Sequence, residues 1–483
     1  MTDQYDVVVV GGGPAGYPTA IRAAQLGFKT ACIDAWINKD NTPAFGGTCL
    51  NAGCIPSKAL LESSELWHRM QHEIGAHGIS GSDFKVDLDK MQARKTAVSR
   101  QLTGGIKQLF AANKVTGLEG FGKLLGDGKV EFTPHSGDKQ VLTAKHIVIA
   151  TGSSPVNLKI TPFDDETIVD SWGALDFTEV PKTLGIIGAG VIGVELGSVW
   201  SRLGSKTVIL EAMPSFLPMV DAAISKEALR HFTKQGLDIR LGAKVAGAKV
   251  KGGKGGKTVE VEYEMGGETK KETFDKLIVA VGRRPNTDGL NAKEIGVAFD
   301  ERGFVKVDAN YKTNVPGVYA VGDVIGGAML AHKAIEEGVA LAEQLHGEHT
   351  QVNYDAVPSV IYTMPEVAWT GLSEEQAKAK GFDVKVGTAP FAANGRAKAM
   401  EQPVGTIKII ADKKTDRVLG VHMVGPYVSE LLAEAVLGLE FAATVEDYAL
   451  TMHGHPSLAE TFHEAVLSVD GRAIHAVNKV KKS

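Results

Sequence analysis

Val7-Val-Val-Val-Gly-Gly-Gly-Pro-Ala-Gly16 runs four apolar β-formers into a turn with glycine at 11, 13 and 16. The valines predict a strand, the segment to about Leu26 a helix, and Thr30 to Ile33 a second strand. Glycines at these three positions meet the dinucleotide fingerprint. The first permits the tight turn, the second lets a pyrophosphate reach the backbone, and the third allows close helix–strand packing. The helix N-terminus then faces the phosphate anion. Asp34 follows Gly11 by 23 positions, suited to accept hydrogen bonds from a ribose.

The pattern returns downstream. Leu184-Gly-Ile-Ile187 reads as a strand, Gly188-Ala-Gly-Val-Ile-Gly193 as the turn, and Val194 to Leu203 as a helix. The strand Thr207 to Leu210 then delivers Glu211, again 23 positions after the first glycine. One such glycine motif is weak evidence, whereas two copies with an acid at the same offset are strong. A second echo joins Ile147-Val-Ile-Ala-Thr-Gly-Ser-Ser-Pro155 to Leu277-Ile-Val-Ala-Val-Gly-Arg-Arg-Pro285, each an apolar strand ending in a glycine turn and a proline. The expected fold is therefore α/β, with two Rossmann-like dinucleotide-binding domains, the second inserted into the first. Residues 1–150 and 283–350 form the outer domain and 151–282 the inserted one. The strand Gly317 to Asp323 belongs to the return, where Asp323 can reach another nucleotide oxygen. Residues 351–483 carry no fingerprint. Strand-like Thr406 to Ile410 and Arg417 to Val424, with amphipathic Ser429 to Phe441 and Leu458 to Leu467, predict an α+β domain. Lys251 to Gly256, rich in glycine and lysine, reads as a hairpin tip.

At 483 residues the chain exceeds one hydrophobic core. No apolar run reaches the roughly 20 residues of a membrane span. A net charge of −5 gives no reason to expect nucleic acid or an anionic membrane as partner. Met1 to Asp6 lead directly into the first strand, without a cleavable leader, so a bacterial-type cytoplasmic location is expected. Three cysteines in this length argue against a disulfide scaffold and suit a reducing compartment. Cys32 lies in the second strand and reads as a small core hydrophobe.

The other two stand in Gly46-Gly-Thr-Cys-Leu-Asn-Ala-Gly-Cys-Ile-Pro-Ser-Lys58. Five residues of regular helix rise roughly 7.5 Å, while a disulfide wants Cα atoms roughly 4.4–6.8 Å apart. Thiols cycling through a disulfide here require an irregular first turn, which Gly53 and Pro56 supply. A helix N-terminus also favours the reactive thiolate. The alternatives are two unrelated buried cysteines, or a zinc site that would need further ligands. His68 and His72 are the nearest histidines and read as a helix surface. No metal site is expected.

The cysteine motif, the doubled fingerprint and the late segment His453-Gly-His-Pro-Ser-Leu-Ala-Glu460 together resemble the dihydrolipoamide dehydrogenases, within the pyridine nucleotide–disulfide oxidoreductases. The resemblance covers essentially the whole chain. It implies FAD in the outer domain, NAD in the inserted one, and a C-terminal interface domain that makes a homodimer. It implies that Cys49 exchanges with the substrate dithiol and that Cys54 lies against the flavin as a charge-transfer thiolate. Lys58 would pair with Glu195 beside the flavin. His455 matches the family base, with Glu460 as its orienting acid, and His453 reads as structural. The base would serve the partner subunit's cysteines. Family members usually carry threonine at Ser457, and many carry glutamate at Asp34.

Positions matching the family's FAD contacts are Gly11, Gly13, Gly16, Asp34, Thr48, Lys58, Gly122, Thr151, Gly152, Ser153, Asp323 and the segment Met329, Leu330, Ala331 and His332. A helix starting near Met329 would aim its positive end at reduced flavin. For NAD they are Gly188, Gly190, Gly193, Glu195, Glu211, Val245 and Gly282. Glu211 accepts from a ribose 2′-hydroxyl and repels a 2′-phosphate, and Ala212-Met-Pro214 offers no arginine, so NAD is expected over NADP. The implied reaction oxidises dihydrolipoamide, borne on a lipoyl-bearing acyltransferase or a glycine-cleavage carrier protein, and passes hydride to NAD⁺. A glutathione-type reductase conflicts with Glu211, a mercuric reductase needs a C-terminal cysteine pair, and a transhydrogenase relative would lack Cys49 and Cys54. A redox-silent docking subunit would have no use for His455 and Glu460.

Overall fold

The computed structural model describes residues 3–253 and 256–478. Of the expected hairpin tip, Lys254 and Gly255 lie outside the described residues. The chain forms two compact units. The first is Met1–Ala59, Asp89–Val156 and Val281–Val352; the second is Leu60–Leu88, Asn157–Ala280 and Asn353–Ser483.

The first unit is built on parallel strands in the order Thr116–Gly126, Thr30–Asp34, Asp3–Val10, Gln140–Ile149 and Val318–Ala320. Lys129–Pro134 joins the outermost of these to Gln140–Ile149 by antiparallel pairing. Successive side chains of a strand point to opposite faces. Val7 and Val9 accordingly enter one core with Cys32, Val148, Ala20, Ala23 and Leu341. Val8 and Val10 enter another with Ile33, Ile147 and Ile149. Burial on both faces is why the strand reads as unbroken valine. Cys32 has no exposed surface, and burial pushes its thiol well above the usual range.

The second unit repeats the design. Parallel strands run in the order Asp238–Leu241, Lys206–Glu211, Thr183–Ile187, Lys276–Val279 and Ile168–Val169. An antiparallel sheet of Lys244–Gly253, Gly256–Met265 and Glu268–Phe274 accompanies it. The helix after the fingerprint is Val191–Arg202, three residues earlier than its apolar run predicts, because extended Gly190 caps it directly. The two echoed segments meet in the first unit, where Ser153–Pro155 pairs antiparallel with Arg283–Pro285. The strand expected from Gly317 ends at Ala320, and Gly322, at φ +80°, turns the chain into a short 3-10 helix carrying Asp323.

The remainder of the second unit is an antiparallel sheet in the order Ser359–Ile361, Glu366–Gly371, Val418–Gly425, Thr406–Asp412 and Val384–Pro390. Helices Val428–Glu440 and Ala459–Val469 bury Leu432, Ala435, Phe462 and Val466 against it. Lys408, Asp221 and His422 are buried here. Lys408 Nζ donates to both oxygens of Asp221 at 2.8 Å and to Glu374 at 2.7 Å. Nδ1 of His422 accepts the Asp221 amide at 3.1 Å. Among the described residues no helix is long and apolar enough to cross a membrane.

Candidate active site

The two fingerprints are built alike. Gly11 and Gly188 take φ of +109° and +102°, backbone that side chains rarely adopt. A β-carbon on Gly16 would stand 1.7 Å from the Gly11 carbonyl oxygen, and one on Gly193 2.0 Å from that of Gly188. The third glycine in each is thus imposed by packing on the first. Gly190 instead borders open space, with nothing within 4 Å, and Gly13 has only the Gly47 Cα at 3.6 Å. The middle positions leave room for an approaching ligand.

The acids at the strand ends differ. Glu211 takes the Ala189 amide on one oxygen and the Met213 amide on the other, both at 2.8 Å. Asp34 is buried: Oδ1 accepts the Trp36 amide at 3.2 Å, while Oδ2 makes no hydrogen bond. Burial pushes its carboxyl up to about 7, against the opposing amides of Trp36, Ala35, Gly12 and Gly47. A buried acceptor lacking a donor costs on the order of 1–3 kcal/mol. Ribose hydroxyls are donors of the required kind, so the loop fits the ribose and pyrophosphate of FAD.

Around the thiols, Gly46 and Gly47 at φ +106° and +55° open a short helix, Gly47–Ala52. Gly53 breaks it at φ −144°, ψ −115°, and a new helix starts at Cys54. This is the irregular turn that the cysteine spacing requires. Neither cysteine is in a disulfide, and Cys49 is half-buried and Cys54 exposed. The Cys49 thiol is pushed far above its usual range, first by its hydrogen bond to Cys54 and then by burial, with Lys58 opposing.

Thr151, Gly152 and Ser153 are held by Asn286 and Arg283, two residues that the sequence reading did not single out. Thr151 Oγ1 donates to the Asn286 carbonyl at 2.6 Å, Asn286 Nδ2 donates to the Thr151 carbonyl at 3.1 Å, and the Asn286 amide reaches the Gly152 carbonyl at 3.0 Å. Arg283 donates to Ser153 Oγ at 2.7 Å and to its carbonyl at 2.6 Å, and Ser153 Oγ donates to Asp323. The signal for Arg283 was the echo of 147–155 in 277–285, read for topology alone, and Asn286 directly follows that segment. Behind Asp323, the Gly322 amide donates to Glu337 at 2.8 Å, and Glu337 pairs with Lys333 at 2.6 Å, both buried. The helix here is Ala331–His346, so Met329 and Leu330 precede it. Gly122 is packed from within: a β-carbon there would meet Val10 at 2.9 Å. Thr48 lies in the short cysteine helix.

In the second unit, Glu195 is buried and accepts the Tyr362 amide at 2.9 Å. Val245 sits at a bulge in its strand and packs half-buried on the local core. Gly282, in the first unit, takes φ +124° in open space. His68, expected on a helix surface, is half-buried, and burial drops its pKa to about 4 beside His72, 4.5 Å away ring to ring.

His455 Nδ1 and Glu460 Oε1 are 2.8 Å apart, and the other carboxylate oxygen takes the Ser457 amide at 2.8 Å. Burial raises Glu460, yet the Ser457 amide and His455 outweigh it and hold the carboxyl below its usual range. A carboxylate accepting at Nδ1 leaves the proton there and frees Nε2 to accept another. The His455 side chain is 80% exposed, so Nε2 meets solvent-borne groups. His453 is turned inward, with Nε2 2.7 Å from Glu434 and Nδ1 3.0 Å from the Thr451 carbonyl.

Residues 5–338 match the pyridine nucleotide-disulphide oxidoreductase family, and residues 357–466 match the dimerisation domain of that family. The chain belongs to this family. This oxidoreductase is 49% identical to the dihydrolipoyl dehydrogenase of Cupriavidus necator, over 98% of this chain and 100% of that one. It is 47% identical to the mitochondrial dihydrolipoyl dehydrogenase of Homo sapiens, over 97% of this chain and 92% of that one. Among solved structures it resembles the Cu(II) complex of the HOCl-induced flavoprotein disulfide reductase RclA from Escherichia coli. That likeness has a TM-score of 0.83 and 28% identity, over 96% of this chain and 99% of that one.

Proposed function

We propose that this oxidoreductase oxidises dihydrolipoamide to lipoamide through the Cys49–Cys54 pair and delivers the electrons to NAD⁺. The observation that carries the reading is the exposed His455 imidazole, fixed by Glu460 with Nε2 free, in a chain that also brings two thiols together. Nε2 takes a proton from the substrate dithiol, since the thiolate performs the exchange. The thiolate attacks Cys49 Sγ of the oxidised pair and releases Cys54 as thiolate. The second substrate thiol, deprotonated in turn, attacks the mixed disulfide at the substrate sulfur. Lipoamide leaves, and Cys49 regains its sulfur electrons and a proton.

Asp34, Gly11, Gly13, Gly16, Thr48, Lys58, Gly122, Thr151 to Ser153, Asp323 and Met329 to His332 would hold FAD. Bound there, FAD supplies the two-electron chemistry between the dithiol and nicotinamide. Gly188, Gly190, Gly193, Glu195, Glu211, Val245 and Gly282 would serve NAD⁺, with Glu211 selecting against the 2′-phosphate. On this reading residues 1–150 with 283–350 bind FAD, 151–282 bind NAD⁺, and 351–483 pair two chains. His455 serves the thiols of the second copy. The lipoyl group comes from an acyltransferase or a glycine-cleavage carrier protein. The test is steady-state NAD⁺ reduction by dihydrolipoamide against NADPH oxidation by glutathione disulfide. Turnover in the first alone is expected, and its absence sinks the reading.

A further inference from the structure

His453 has an acceptor at each ring nitrogen. Nδ1 lies 3.0 Å from the Thr451 carbonyl oxygen and Nε2 2.7 Å from a Glu434 carboxylate oxygen. A carbonyl never donates, and between imidazole and carboxylate the proton resides on the more basic imidazole. Both nitrogens therefore carry hydrogen, and the ring is an imidazolium. Its side chain is 7% exposed, so the charge is sheltered from water and from salt.

The groups facing it come from two helices as well as its own loop. Glu434 projects from Val428–Glu440. Glu460, whose charge also favours the protonated ring, and His463 project from Ala459–Val469. The His463 ring stacks on His453 at 4.8 Å and 24°, and its Nε2 is 3.1 Å from the Ala449 carbonyl. The Glu434 hydrogen bond, with burial opposing it, raises the His453 pKa, in accord with donor counting. One residue separates this fixed ring from His455, whose Nδ1 meets Glu460.

We infer that His453, held as an imidazolium by Glu434 and the Thr451 carbonyl, is a positioning residue that fixes the loop presenting His455 to the substrate dithiol. It touches no reacting atom: its two hydrogen bonds tie residues 451 and 453 to the helix Val428–Glu440, while Glu460 aims the ring two residues on. The inference rests on the dihydrolipoamide reading and assigns that site a second histidine–glutamate pair.

The test separates two half-reactions of the FAD-loaded enzyme, followed by stopped-flow absorbance. Reduction by dihydrolipoamide needs the base and its loop, whereas reduction by NADH does not. His453→Gln is expected to slow the first about 10- to 100-fold, the cost of a misplaced catalytic group, and to leave the second unchanged. Glu434→Gln keeps an acceptor but loses the charge, and slows the first half-reaction less. Because the two residues act as one unit, the double variant is no slower than His453→Gln alone. Unchanged reduction by dihydrolipoamide, proportional slowing of both half-reactions, or additive effects overturns the inference. Glu434→Gln carries the test should His453→Gln fail to fold. Wild-type enzyme that dihydrolipoamide does not reduce sinks the underlying reading, and the inference with it.

Discussion

A β-carbon on Gly12 would stand 2.6 Å from Oδ2 of Asp34 and 2.8 Å from the Phe45 ring. The glycine lies outside the three fingerprint positions, yet it makes the space in which the acid is buried. Gly12→Ala is expected to displace the carboxylate and cost about 1–3 kcal/mol of stability, the range for overpacking. Thermal unfolding would show the loss, and flavin fluorescence would show weaker FAD retention. Unchanged FAD binding would contradict the placement.

Asp34 also sets a pH dependence. Its folded pKa of about 7 lies above the ordinary 3.8, so without FAD the folded state holds the extra proton. That contribution to stability is complete below about 4 and is lost as pH rises toward 7. Ribose donors favour the ionised form, so FAD affinity should strengthen as pH rises through 7. Asp34→Asn should abolish both trends, which denaturant titrations and FAD titrations from pH 5 to 8 would read.

The buried Lys408 cluster predicts a larger effect. Lys408→Met leaves Asp221, which has no exposed surface, without its cation. Breaking a buried pair from one side costs about 3–5 kcal/mol, which denaturant unfolding would register. His422 adds an acid limb: burial lowers its pKa to about 4. A lowered folded pKa means stability present above 6.5 and lost as pH falls from there toward 4. His422→Gln should flatten that limb.

Some of this was legible in the sequence and some was not, for reasons visible in particular residues. The glycines at 11, 16, 188 and 193 were legible because backbone touches backbone there, and one residue type alone fits. The Cys49–Cys54 spacing told of a broken helix because regular helix geometry forbids a disulfide over that span. Lys333 and Glu337, in contrast, stand at the spacing of an ordinary exposed helix pair, and only the strand-to-helix packing shows them buried beneath Gly322. Asn286 and Arg283 act through backbone groups 130 or more positions away, a relation that no local pattern carries. His68 looked like surface because its helix is mixed in character, and its burial comes from elsewhere in the fold.

Glu211 holds two amides of its own turn, so its replacement should do more than relax nucleotide choice. Glu211→Ala frees the Ala189 and Met213 amides that shape the loop. The expected result is a KM for NAD⁺ raised about tenfold or more, roughly 1.4 kcal/mol or above, with a smaller change for NADP⁺. Initial rates with each nucleotide would measure the ratio. A preserved preference for NAD⁺ would mean that selection lies elsewhere.

Glu460 does two things at once, and they can be separated. One oxygen orients His455 through Nδ1, and the other takes the Ser457 amide, so the loop and the imidazole share one carboxylate. Glu460→Gln keeps an acceptor for Nδ1 but removes the negative charge, and kcat/KM for dihydrolipoamide should fall about 10²-fold, within the range for general base catalysis. Glu460→Ala also removes the acceptor and leaves the Ser457 amide without its partner, so it should lose more activity and some thermal stability. Equal activities for the two variants would mean that the charge alone matters and that orientation through Nδ1 does not.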